Sequence, residues 1–101
     1  IRLHLVDPSN AAAGQTVHIA QQGMRPSAIA WDPITQRYLV LSSAPPGIVG
    51  VDADFQVVSI KLLDPGLHRQ PEGLEIRGNT VFIADEARNG RARLTIYDEL
   101  L

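Results

Sequence analysis

Four side chains carry most of the chemistry that this sequence can offer: Ser27, His68, Glu72 and Asp85. Glu72 stands in Gln70-Pro71-Glu72-Gly73, where Pro71 fixes the approach of the chain and Gly73 leaves room beside it. A carboxylate held in such a place needs a partner, because burying it unpaired is costly. Arg25, Arg69 or backbone amides would make it a tie between neighbouring elements. Asp85 and Glu86 are adjacent, and adjacent strand residues point to opposite faces. They cannot converge on one substrate atom, so paired acid-base catalysis is not expected of them and the pair reads as a solvated strand end. The histidines His4, His18 and His68 fall on unlike segments without metal-ligand spacing. His68 reads as a surface loop residue, notable only because its loop leads to Glu72. Ser42 and Ser43 lie in Leu-Ser-Ser-Ala, which is no nucleophile elbow, so a Ser-His-Asp triad is not supported.

Composition narrows the classes further. The chain has 101 residues, 45% hydrophobic and 20% charged, which suits a folded domain. Its formal charge of -2 comes with no basic stripe, so nucleic acid is not an expected partner. No apolar run approaches the roughly 18 residues of a membrane-spanning helix. Cysteine is absent, which removes disulfides, thiol catalysis and Cys-ligated zinc.

The elements that must position these residues repeat. Arg25-Pro26-Ser27-Ala28-Ile29-Ala30-Trp31 is echoed by Gln70-Pro71-Glu72-Gly73-Leu74-Glu75-Ile76, with Pro26 and Pro71 45 positions apart (71 minus 26). Each Pro leads into an alternating apolar run, a turn, and two further runs: Tyr38–Ser43 then Ile48–Asp52, and Val81–Glu86 then Leu94–Asp98. Short strands recurring at a period of about 40–50 residues are the mark of β-propeller blades.

The fold expected is therefore all-β, a β-propeller fragment of about two antiparallel four-stranded blades. Residues 1–24 would end one blade, 25–64 form a complete blade, and 65–101 form a last, three-stranded blade. Strands are expected at Ile1–Val6 and Thr16–Ala20, around an Asp7-Pro8-Ser9-Asn10 turn and a loop or stray helical turn at Ala11–Gly14. They continue at Ala28–Trp31, Arg37–Ser42, Ile48–Asp52 and Phe55–Leu62, then at Gly73–Arg77, Thr80–Ala84 and Arg91–Tyr97. Ala28–Trp31 and Gly73–Arg77 would be equivalent inner strands. A ring closes with roughly 4–8 blades, so the chain is expected to meet further blades, either of the same polypeptide or of other copies. The absent fourth strand after Tyr97 is expected to place Leu101 near a natural C-terminus.

Arg25–Ala30, Leu39–Ser43, Leu63-Asp64-Pro65 and Gln70–Leu74 together resemble bacterial proteins of the SdiA-regulated family. The resemblance spans residues 24–98 and is carried by order, spacing and turn residues in concert. It implies a six-bladed, extracytoplasmic (periplasmic or envelope) propeller, related in shape to the NHL, SMP-30 and phytase-like propellers. It implies no reaction. In the similar lactonases the blade position of Glu72 carries ligands for a divalent cation. That resemblance makes Glu72, with Asp85 turned beside it, a candidate metal pair for calcium, which takes six to eight oxygens. Ser27, Glu72 and His68 become candidate ligand-binding residues at the channel mouth. Two functions stand open: a binding or structural module, and a calcium-dependent hydrolase of lactonase or phytase-like type. A lone channel-mouth carboxylate without a base or nucleophile favours the first.

Overall fold

The structure is a computed structural model, and it describes residues 2–7, 10–19, 23–86 and 90–99. Every regular element among them is a β-strand, in the order β1 (Arg2–Asp7), β2 (Asn10–His18), β3 (Pro26–Asp32), β4 (Arg37–Ser43), β5 (Pro46–Val51), β6 (Val57–Leu62), β7 (Pro71–Arg77), β8 (Thr80–Asp85) and β9 (Arg93–Asp98). They form three antiparallel meanders: a two-stranded sheet β1-β2, a four-stranded sheet β3-β4-β5-β6 and a three-stranded sheet β7-β8-β9. The all-β class and the strand count of the last two units match expectation. No ring is closed by these residues.

One stretch departs from the sequence reading. Ala11–Gly14, expected as loop or helical turn, lies inside β2. Alanine is a poor strand former in isolation, but here β1 supplies a pairing partner, with Leu5 opposite Gln15 and Asp7 opposite Asn10. Pro8 and Ser9, the centre of the expected turn, lie outside the described residues. So do residues 87–89.

The second and third sheets are true repeats at the level of individual hydrogen bonds. In each, the first strand carries a bulge just after its proline, between Pro26 and Ala28 and between Pro71 and Gly73. In each, the N–H at the end of the second strand or just beyond it returns to the residue before that proline: Ser43 N–H donates to the Arg25 carbonyl at 2.8 Å and Glu86 N–H, one residue past β8, to the Gln70 carbonyl at 2.9 Å. The tight β7–β8 turn is opened by Gly78 at φ 58°, while Asn79 keeps a negative φ. Gly73 is required for another reason, since a Cβ there would lie 2.9 Å from the Ala84 Cβ.

Strand alternation sets which sheet meets which. Leu39 and Leu41 of β4 and Ile48 of β5 lie on one face of the second sheet, and Val40, Val49 and Val51 on the other. The first trio packs with Val81 and Ile83 of β8, backed by Leu74, Ile76 and Tyr97, so the third sheet lies face to face on the second. The second trio packs around Ile19 with Met24, Tyr38, Phe55 and Val57. Both faces of β4 are thus covered, which is why it reads as a continuous apolar run. Trp31 meets Tyr38 edge-on at 4.8 Å but remains 44% exposed.

Candidate functional site

The crossover from β6 to β7 carries the site. Leu63 docks it into the core, and Asp64 turns it: its side chain accepts Gly66 N–H at 2.8 Å and its carbonyl accepts His68 N–H at 2.8 Å. Asp and Pro favour such turns, Asp by capping backbone donors locally. The turn delivers His68 inward, and its side chain is 0% exposed. This overturns its reading as a surface histidine.

His68 lies between two groups. Its Nδ1–H donates to Asp85 Oδ1 at 2.7 Å, which leaves Nε2 to accept the Tyr97 hydroxyl proton. Asp85 Oδ2 takes Gln70 N–H at 3.2 Å. Asp85 is 5% exposed, so the expected solvated strand end is instead a buried polar anchor. The preceding repeat explains why the position faces inward: Ser42 occupies it there, also buried, and accepts Arg25 N–H at 3.2 Å. The third sheet keeps that backbone cap and, with a longer side chain, adds a histidine. Arg93 Nη1–H donates to the Leu67 carbonyl at 3.0 Å and fastens the same crossover from β9.

Burial raises the Tyr97 pKa above its ordinary value, with the carboxylates of Asp64 and Asp85 adding to the shift. Folding therefore favours the protonated phenol, and that contribution is complete below the unfolded value of about 10. It is lost as pH rises through the higher folded pKa. Wild-type stability should consequently fall more steeply above pH 10 than that of Tyr97→Phe, in denaturation curves collected across that range.

Ser27 and Glu72 occupy the two equivalent bulges. The Ser27 hydroxyl donates to the Pro71 carbonyl at 2.7 Å, joining β3 directly to β7. Ser27→Ala should cost about 1 kcal/mol, the usual net worth of such a bond, read by chemical denaturation. Glu72 is exposed and does not meet Arg25 or Arg69 in any described ion pair. Its neighbour is Glu86, whose negative charge raises the Glu72 pKa; slight desolvation and a hydrogen bond between the carboxyls act the same way. A raised carboxyl pKa destabilises the fold above it, the effect vanishing below the unfolded value of about 4.5. Glu72→Gln should therefore raise the melting temperature at pH 7, with the gain disappearing as the solution is acidified.

Of the candidate channel-mouth residues, Ser27 and Glu72 lie on β3 and β7, the neighbouring first strands of the two sheets, whereas His68 is withdrawn into the core. The candidate metal pair is divided: both Asp85 oxygens already accept hydrogen bonds. Among the described residues no group of three or more His, Cys, Asp or Glu side chains could hold a metal ion. The residues present therefore do not fit a calcium centre built on Glu72 and Asp85. Sequence reasoning missed Tyr97 and the burial of His68. The available signal was the pairing of Asp85 with Ser42 in the repeat, since an acid replacing a small residue at a fixed position demands a donor.

A concavity of about 350 Å³ lies beside the buried His68, walled by Ser43, Ala44, Pro45, Pro46, Pro65 and Arg69. It lies where the β4–β5 turn meets the crossover, and it is open and shallow. No protein-family model, no curated protein and no solved structure matches the chain, so the likeness to the SdiA-regulated family rests on its residue motifs alone.

Proposed function

We propose that the chain forms successive blades of a β-propeller that serves as an extracytoplasmic binding or structural module. The observation that carries this reading is the repeat itself. Two equivalent meanders lie face to face with their first strands adjacent, and Ser27 bonds to Pro71 across them. Radial repetition of this kind builds a ring with its first strands innermost. The extracytoplasmic placement is supported by the family resemblance. A binding role fits the polar groups better than catalysis. His68, the one histidine at the crossover, is fully buried and engaged at both ring nitrogens, so it is not available to a substrate as a general base.

The calcium-dependent hydrolase retains one supporting observation, the close approach of the Glu72 and Glu86 carboxyls at the strand ends. Two carboxylates fall well short of the six to eight oxygens calcium takes. Thermal unfolding with and without millimolar calcium separates the readings. A binding module should melt at the same temperature in both, whereas a catalytic calcium centre should stabilise the protein in proportion to occupancy. A calcium-dependent rise that Glu72→Gln abolishes would transfer the assignment to the hydrolase.

A further inference from the structure

The concavity beside His68 has firmly held walls of one-sided chemistry. They come from the β4–β5 turn and from the crossover, and backbone hydrogen bonds hold both in place. Leu63 N–H donates to the Pro46 carbonyl at 3.0 Å and ties one wall to the other. Ser43 N–H is held by the Arg25 carbonyl, and the Asp64 turn sets the course from Pro65 to His68. Pro45, Pro46 and Pro65 have fixed φ and present ring carbons without an N–H. A ligand therefore meets a surface that needs little ordering. The polar groups are few and lack any acid. Arg69 is exposed, and its guanidinium makes no ion pair or hydrogen bond among the described residues. The Ser43 hydroxyl has only a long bond, 3.4 Å, to the Arg25 carbonyl. His68 adds no donor, since both ring nitrogens are engaged by Asp85 and Tyr97. None of the lining residues is acidic, and Asp64, next to Pro65 in sequence, is turned onto Gly66 N–H at 2.8 Å.

We infer that this concavity binds a small aliphatic carboxylate, its head on Arg69 and Ser43 and its hydrocarbon chain along the three prolines. A guanidinium fork matches the two oxygens of a carboxylate, and the hydroxyl supplies one more donor. A phosphate brings more charge and more acceptor oxygens than one cation and one hydroxyl satisfy. The prolines have no N–H with which to make up the difference. Their rings suit an apolar body instead, which leaves water on touching them. The volume, about 350 Å³, lies at the small end of the range for ligand sites. Because the concavity is open, the ligand stays partly in water and its Kd is about 1 mM. The inference rests on the reading of the protein as a binding module and names a ligand class for it.

The test titrates hexanoate, hexanamide and acetate into the whole chain in EDTA, followed by amide chemical shifts. Hexanoate should move the amides of Ser43, Ala44, His68 and Arg69. Hexanamide should bind about threefold more weakly, as for an exposed ion pair, and acetate should also bind more weakly, having no chain to lay on the prolines. Arg69→Gln should bring hexanoate down to the level of hexanamide. Equal binding of hexanoate and hexanamide to the wild type, shifts centred elsewhere, or no shift at about 20 mM hexanoate overturns the inference. Acetate binding as tightly as hexanoate overturns it, as does inorganic phosphate binding more tightly. Acetyl-Ala-Ala-Leu binding about tenfold more tightly than hexanoate overturns it in favour of a peptide C-terminus. None of these failures touches the binding-module reading, which falls instead to calcium-dependent melting.

Discussion

Replacing His68 with alanine is expected to lower the unfolding free energy by about 3 kcal/mol. The side chain is wholly enclosed, and its loss strands the buried Asp85 carboxylate and leaves the half-buried Tyr97 hydroxyl without its acceptor. Removing one member of a buried, hydrogen-bonded pair costs about 3–5 kcal/mol, because the remaining group keeps its desolvation penalty. The lower end applies here because Asp85 keeps the Gln70 amide and Tyr97 is only half-buried. Urea denaturation should show the midpoint falling with an unchanged slope. A loss below about 1 kcal/mol would mean that the crossover is held by Leu63 and the Asp64 turn rather than by the imidazole.

The second large effect concerns the contact between repeats. Leu41 and Ile83 are both fully buried, and they come from the central strand of one sheet and that of the other. Truncating either to alanine should cost about 3 kcal/mol, from lost burial and the cavity left behind. The double variant should lose less than the sum, because the two truncations open one shared cavity and the sheets can settle into it. A coupling of about 0.5 kcal/mol or more distinguishes this from independent sites. Strict additivity would place the two side chains in separate cores and dismantle the face-to-face stack.

The stack was largely legible in the sequence, and the site only partly. Spacing revealed the repeats because turn chemistry and period-2 alternation are local: Pro26 and Pro71 mark the same point in each unit, and Gly78 supplies the positive φ of its turn. Ala11–Gly14 was illegible because small residues bear no alternation, and only pairing with β1 makes them strand. The buried network was illegible for a different reason. His68, Asp85 and Tyr97 lie on a crossover, a second strand and a third strand, and no window of sequence contains them together. Glu72 was the sharper signal by position, yet the structure sets it beside another carboxylate rather than a cation. Side-chain partners at a bulge are chosen by the neighbouring strand end, here Glu86, and not by the Pro-Glu-Gly motif itself.

Electron cryomicroscopy of the intact protein tests the central claim most directly. The account predicts that residues 26–62 and 71–98 appear as consecutive blades about one axis, with β3 and β7 innermost and Ser27 against Pro71. A map in which β3 and β7 lie on the outer rim, or in which the two meanders join edge to edge as one continuous sheet, would contradict it.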